Sequence, residues 1–227
     1  MADTPIRDAA TVILLRDDDG GRQVLMGQRG AKAAFMPSKF VFPGGAVDPD
    51  DAMVPLAAGS PCAARLREDS VDDLSHALAA AAIRELWEET GLALGQAGVW
   101  RDAPPAWEGF AARGLLPDAS TLRFVFRAIT PPGRPRRFDA RFFLAPVGAV
   151  AGDPDDFSAA SDELSHLQWV PLEDARRLDL PFITEVVLAE IAAADPARAP
   201  RSVPFFRNDD EESLFLRLRG EDEKNDR

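Results

Sequence analysis

The sequence predicts an α/β fold, and three observations carry that expectation. Short runs with strand character stand at residues 9–16, 23–29, 122–129 and 167–172, bounded by Gly, Pro and Asp turn clusters. An alanine-rich run, Ala77 to Ala82, leads into a helical stretch that stops at Gly91. A second amphipathic helix is expected from Leu180 to Ala194, packing on the sheet that the strands form. The 227 residues suit one domain with additions, and 46% hydrophobic content is enough for a proper core.

Taken in order, Ala9 to Arg16 and Gln23 to Arg29 read as a strand pair. Asp17-Asp18-Asp19-Gly20-Gly21 between them is turn chemistry, with the aspartates solvated at the tip. Arg29, Lys32 and Lys39 flank a loop that ends in Phe42-Pro43-Gly44-Gly45 and are candidates for phosphate contact, or else ordinary surface bases. Gly44-Gly45 would let the backbone approach a ligand closely. From Asp48 the chain is rich in Pro, Ala, Gly and Asp, so a loop with a short helical piece is expected, as a lid or an interface. Asp72-Asp73 suit the start of the next helix, where negative charge favours the dipole. Trp107 to Leu116 reads as a helix stopped by Pro117, and Trp100 and Trp107 as packing residues or else as platforms that stack on a base. Leu122 to Ile129 and Leu167 to Leu172 are strands, and Ser213 to Leu218 is strand-like. The charged tail from Glu221 to Arg227 is expected to be disordered.

The chemistry concentrates in Arg84-Glu85-Leu86-Trp87-Glu88-Glu89-Thr90-Gly91-Leu92. On a helix, residues three and four apart share a face, so Glu85, Glu88 and Glu89 converge while Leu78, Ala82, Ile83 and Leu86 line another surface. Like charges at this spacing repel. A solvated acidic face would tolerate that; a divalent cation would offset it, and Mg²⁺ is commonly held by a few carboxylates together with substrate phosphates.

This stretch resembles the second half of the Nudix box, G-x5-E-x7-R-E-U-x-E-E-x-G-U with U aliphatic, at every fixed position. Phe42-Pro43-Gly44-Gly45 resembles the segment that opens the box. Gly45 to Arg84 spans 39 positions (84 − 45) where the pattern has 14, so about 25 residues are inserted. Counting back from Arg84 puts the first box acid at His76, and counting forward from Gly45 puts it at Asp51; the spacing leaves both open. The resemblance implies an α/β/α sandwich with a mixed sheet between helices. It would be a single domain over 1–227, with an insertion at about 48–75 and a C-terminal extension at about 195–227.

The resemblance also implies an Mg²⁺- or Mn²⁺-dependent hydrolase of a diphosphate linked to another moiety. Glu85, Glu88 and Glu89 would be metal ligands and catalytic residues, with Gly45 at the metal and Arg84 holding a box glutamate. Glu163 would be the base, with Asp162 and Glu173 as fallbacks. The loop from Arg29 to Phe42 is similar in outline to the signature of Nudix enzymes that cleave coenzyme A, although Ala34 and Ser38 stand where that signature has arginine and glycine. Pro135-Arg136-Arg137-Phe138-Asp139-Ala140-Arg141-Phe142-Phe143 resembles the split-box branch that includes coenzyme A and acyl-coenzyme A diphosphatases. Arg29, Lys39, Arg136 and Arg137 are the substrate-binding candidates, and Arg141 is an alternative structural arginine. NADH, ADP-ribose, a nucleotide sugar or a damaged nucleotide are other substrates of that class, and a non-catalytic nucleotide-binding regulator is the reading from another class.

A net charge of −12 argues against polymeric nucleic acid and anionic membrane as partners, and favours a small-molecule diphosphate met by local positive charge and bound metal. Cys62 is the single cysteine, which excludes an internal disulfide and fits a reducing compartment. With no membrane-length apolar run and no signal-peptide pattern, the expectation is cytoplasmic. The insertion offers a surface for a homodimer.

Overall fold

The computed structural model describes residues 4–68, 72–192, 194–195, 198–208 and 213–218. The expected disordered tail at 221–227 lies outside them. The long first strand, β1 (Ile6–Asp18), turns at Asp19-Gly20 into β2 (Gly21–Arg29), with Gly21 at φ +92°. β3 (Phe40–Val41) returns along β2, and β4 (Gly44–Ala46) lies antiparallel to the first half of β1. A 3-10 turn at Pro49–Met53 and a short helix, α1 (Ala63–Leu66), precede the long helix α2 (Ser75–Thr90).

After α2 come the small hairpin strand β5 (Gly95–Ala97), helix α3 (Glu108–Ala112) and its partner β6 (Leu115–Pro117). The helix expected to reach Leu116 ends at Ala112, because Gly114 takes a left-handed φ of +72° and the chain turns into β6. β7 (Arg123–Ile129), β8 (Arg137–Pro146), β9 (Leu164–Pro171) and α4 (Phe182–Ile191) follow. Between β9 and α4 the chain makes a single 3-10 turn at Ala175–Arg177.

The last two strands, β10 (Val203–Asn208) and β11 (Ser213–Leu218), complete a mixed sheet in the order β11-β10-β7-β8-β1-β2-β3, with β4 also on β1 and β9 on β2. β1 with β8 and β10 with β7 are parallel; the other pairs are antiparallel. No strand is expected at 203–208 in the C-terminal extension, yet β10 continues the sheet beside β7.

Alternation along β1 divides the core. Ala10, Val12 and Leu14 face α2, α3 and the 54–66 segment, while Ile13 and Leu15 face α4 through Val187, Leu188 and Ile191. The result is the expected α/β/α layering. The segment after Asp48 is packed into the fold over part of its length. Val54, Cys62 and Leu66 are buried in the core on the α2 face, and residues 57 and 58 hydrogen-bond to the chain around Pro117 and Ala119. No helix among the described residues is long and apolar enough to cross a membrane.

Candidate active site

Helix α2 forms because residues 77–83 are good helix formers whose side chains are all buried, and it ends where Gly91 adopts φ +74° and donates its N–H to the Trp87 carbonyl. Thr90 Oγ1 donates to the Leu86 carbonyl at 2.6 Å, which closes the last turn. With Leu86 wholly buried, Glu85, Glu88 and Glu89 are left facing β4 and the loops around it. Gly44 N donates to Glu89 Oε2 at 2.8 Å. A Cβ on Gly45 would stand 2.5 Å from the Glu85 carboxylate, so glycine here leaves the space that this carboxylate occupies.

Arg84 ties the acids together. Its Nε and Nη2 grip Asp51 Oδ1 and Oδ2, each at 2.9 Å. Nη2 also donates to the Ala46 carbonyl at 2.9 Å, and Nη1 donates to Glu85 Oε1 at 2.8 Å and Glu88 Oε2 at 3.2 Å. All five guanidinium hydrogens therefore have protein acceptors, so Arg84 positions the site rather than gripping a ligand. Of the two residues left open by spacing, Asp51 is the acid that reaches Arg84. His76 Nε2 instead lies 2.8 Å from the Val54 carbonyl.

Burial dominates the electrostatics. It pushes the Glu85 carboxyl up to about 7 against the opposing pull of Arg84, with Glu88 and Glu163 adding to the rise. Burial also raises Glu88, and it raises Glu89 well above the ordinary carboxylate range, with the Glu85 charge reinforcing it. Burial works against the Arg84 charge too, but the hydrogen bond to Asp51 and the charges of Glu85, Asp51 and Glu88 outweigh it and hold that group fully charged.

The other expected site residues divide into two groups. Arg29, at the end of β2, meets Glu163, just ahead of β9: Nη2 to Oε1 is 2.9 Å. Both bear on the charge of Glu89, so they stand at the rim of the carboxylate cluster. The Glu163 loop is moored to α2 by Ser161 N donating to the Glu88 carbonyl, and to the sheet by Arg16 on Asp155 at 2.7 Å. Lys39 pairs with Asp179. Arg136 and Arg137 are not brought to the cluster. Arg136 is exposed, and Arg137 is buried beside Ile6, donating to the backbone oxygens of Thr130 and Asn208. Arg141, by contrast, is the structural arginine that its strand neighbours suggested, paired with Asp8 and Asp139. Sequence reasoning left out the Gly44 N–H that holds Glu89 and the Asp155 anchor of the Glu163 loop. Only the Phe42-Pro43-Gly44-Gly45 segment signalled the first of these.

Comparison with known proteins agrees with this geometry. A family model described as the NUDIX domain matches residues 69–191. The chain belongs to the Nudix hydrolase family. A Caenorhabditis elegans protein that bears the nudix hydrolase name is 30% identical over 178 residues, which cover 72% of this chain and 51% of that protein, so the chain spans about half the length of this curated relative. The crystal structure of a Nudix hydrolase from Alicyclobacillus acidocaldarius is 32% identical, covers 85% of this chain and 93% of its own, and superimposes with a TM-score of 0.65.

Nudix hydrolases generally use divalent metal ions, and the residues of this Nudix chain fit one. Glu89 Oε1 is buried with no hydrogen-bond partner, an acceptor that a cation would satisfy. Three desolvated carboxylates beside a glycine that leaves room are an oxygen-rich donor set suited to a hard cation. Among the described residues no three acidic, His or Cys side chains are already arranged around one point. Glu85 and Glu88 instead lean on Arg84, and Glu89 on Gly44.

Proposed function

We propose that the protein is a divalent-cation-dependent pyrophosphohydrolase that cleaves a diphosphate linked to another moiety, with coenzyme A or an acyl-coenzyme A as substrate. The observation that carries the hydrolase reading is the buried, unpartnered Oε1 of Glu89, on the carboxylate that the Gly44 N–H of β4 holds. Coenzyme A is favoured by the loop from Arg29 to Phe42, which ends in Pro43-Gly44-Gly45 against the cluster and begins in an arginine at its rim. The 48–75 segment is read as an insertion within the box of a single domain.

Glu85, Glu88 and Glu89 would hold Mg²⁺ or Mn²⁺, which when bound supplies charge neutralisation for the diphosphate and a water of lowered pKa. Arg84, fixed by Asp51, sets the side-chain directions of Glu85 and Glu88. Gly44 N–H holds Glu89 in place, and Gly45 leaves space for phosphate oxygens. Arg29 binds a phosphate oxygen, and Glu163 accepts the proton from the attacking water.

The test is a hydrolysis screen with Mg²⁺ and with Mn²⁺ over coenzyme A, acyl-coenzyme A, NADH, ADP-ribose and a nucleotide sugar, read by product mass. Glu88→Gln/Glu89→Gln is the inactive control. Release of 3′,5′-ADP and 4′-phosphopantetheine from coenzyme A, absent in the control, is the expected result. Cleavage of a different diphosphate alone would overturn the coenzyme A assignment, and cleavage of none would overturn the hydrolase reading.

A further inference from the structure

Arg29 lies opposite Leu164 where β2 pairs with β9, which sets its side chain beside Glu163. The ion pair they form is lopsided. Glu163 is 56% exposed while Arg29 is 19% exposed. Arg29 Nε is buried and has no partner, while Nη2 holds Glu163 Oε1 at 2.9 Å. Nε and Nη2 form one edge of the guanidinium, the edge that accepts a two-oxygen partner through parallel bonds. Glu163 satisfies half of it. Both side chains are close enough to Glu89 to act on its charge with opposite signs, so the half-used edge belongs to the rim of the carboxylate cluster.

We propose that the Arg29–Glu163 pair is a latch exchanged by substrate: two oxygens of a diphosphate take the Nε–Nη2 edge of Arg29, and the released Glu163 turns to the reacting water. The proposal rests on the diphosphate reading above. In the latched state each residue blocks the other, since Glu163 covers the phosphate edge and Arg29 neutralises the base. An exposed carboxylate gives up little on release, whereas a phosphate supplies more charge and fills both donors of the edge. Glu163 thus gains its freedom only when a diphosphate is in place, which keeps the site from presenting a free base without substrate.

The experiment is calorimetric binding of inorganic pyrophosphate, without metal, to the full chain and to Glu163→Gln, Asp162→Asn, Arg29→Lys and the Arg29→Lys/Glu163→Gln double variant. Asp162→Asn removes the same charge next door without touching the latch. Glu163→Gln is expected to bind roughly two- to fivefold more tightly than the parent, the scale of one exposed ion pair, with Asp162→Asn unchanged. Arg29→Lys lacks the two-donor edge and is expected to bind more weakly, and the double variant to lose the gain. With the substrate that the screen identifies, Glu163→Gln is expected to lower kcat and KM together, a split that a purely structural role would not give. No tightening in Glu163→Gln, or equal tightening in Asp162→Asn, would overturn the latch. Pyrophosphate binding needs no turnover, so a protein that cuts nothing in the screen leaves this readout intact.

Discussion

Asp51 and Arg84, 33 residues apart, form a two-bond ion pair with both contacts at 2.9 Å and almost no exposure of either side chain. The pair fixes the guanidinium from which Glu85 and Glu88 hang. Removing one member of a buried pair leaves the other charge uncompensated, so Asp51→Ala is expected to lose about 3 kcal/mol in urea unfolding and to lower kcat as well. His76→Ala breaks only the contact to the Val54 carbonyl and is expected to cost about 1 kcal/mol with kcat unchanged. The reverse ranking would show that His76 holds the place assigned to Asp51.

Gly45 makes a second prediction. A methyl group 2.5 Å from the Glu85 carboxylate must push that side chain away. Gly45→Ala is expected to weaken Mn²⁺ binding by roughly tenfold or more, the effect of disturbing an orienting contact at a metal site. Its unfolding midpoint without metal should change far less, because the flexible Glu85 end can move. Equal Mn²⁺ affinity in titrations of the two proteins would contradict this.

The raised carboxyls give a pH dependence of definite sign. Glu85 holds its proton up to about 7 when folded and to about 4.5 when unfolded. Between these values the folded state binds more protons, so the Glu85 contribution to stability is greatest below about 4.5 and is lost as pH rises towards 7. For Glu85 alone the loss is on the order of 3 kcal/mol. Glu88 and Glu89 shift the same way. Without metal, the unfolding temperature is therefore expected to drop from pH 5 to pH 7.5, and added Mg²⁺ to restore more of it at the higher pH. Asp73 acts in a separate, acid window: its carboxyl is lowered to about 2 by Ser75 and Arg67, so its contribution is lost as pH falls below about 4. Metal-free thermal scans across this range, flat with pH, would rule out the burial effect.

Leu66 tests the role of the segment that follows Asp48. Its side chain is 3% exposed and packs in the core on the α2 face. Leu66→Ala is expected to cost about 2–4 kcal/mol of stability with KM unchanged, as for a core truncation. A change in KM at near-normal stability would assign the segment to substrate access instead.

Much of this was legible locally. The α2 helix follows from residues 77–83 and its stop from Gly91, since propensity and a left-handed terminator act over a few residues. The β1–β2 turn and the convergence of Glu85, Glu88 and Glu89 are equally local. Contacts that depend on chain return were not legible. Whether Asp51 or His76 meets Arg84 is decided by how the intervening segment folds into the core. The meeting of Arg29 with Glu163 spans 134 positions and exists only because β2 pairs with β9. The arginine run at 134–141 illustrates the opposite failure. Its residue types suit phosphate, yet strand alternation turns Arg137 and Arg141 into the buried side of the sheet, where they bind backbone oxygens and aspartates.

The most direct measurement is Mn²⁺ binding followed by electron paramagnetic resonance, in the parent and in Glu85→Gln, Glu88→Gln and Glu89→Gln. If these three carboxylates hold the cation, each variant binds Mn²⁺ at least roughly tenfold more weakly, and Glu89→Gln also gains stability at neutral pH without metal, because the folded state no longer has to hold a proton on a carboxyl that ionises when unfolded. Unchanged Mn²⁺ affinity in all three variants would contradict a metal site at these residues and the hydrolytic mechanism built on it.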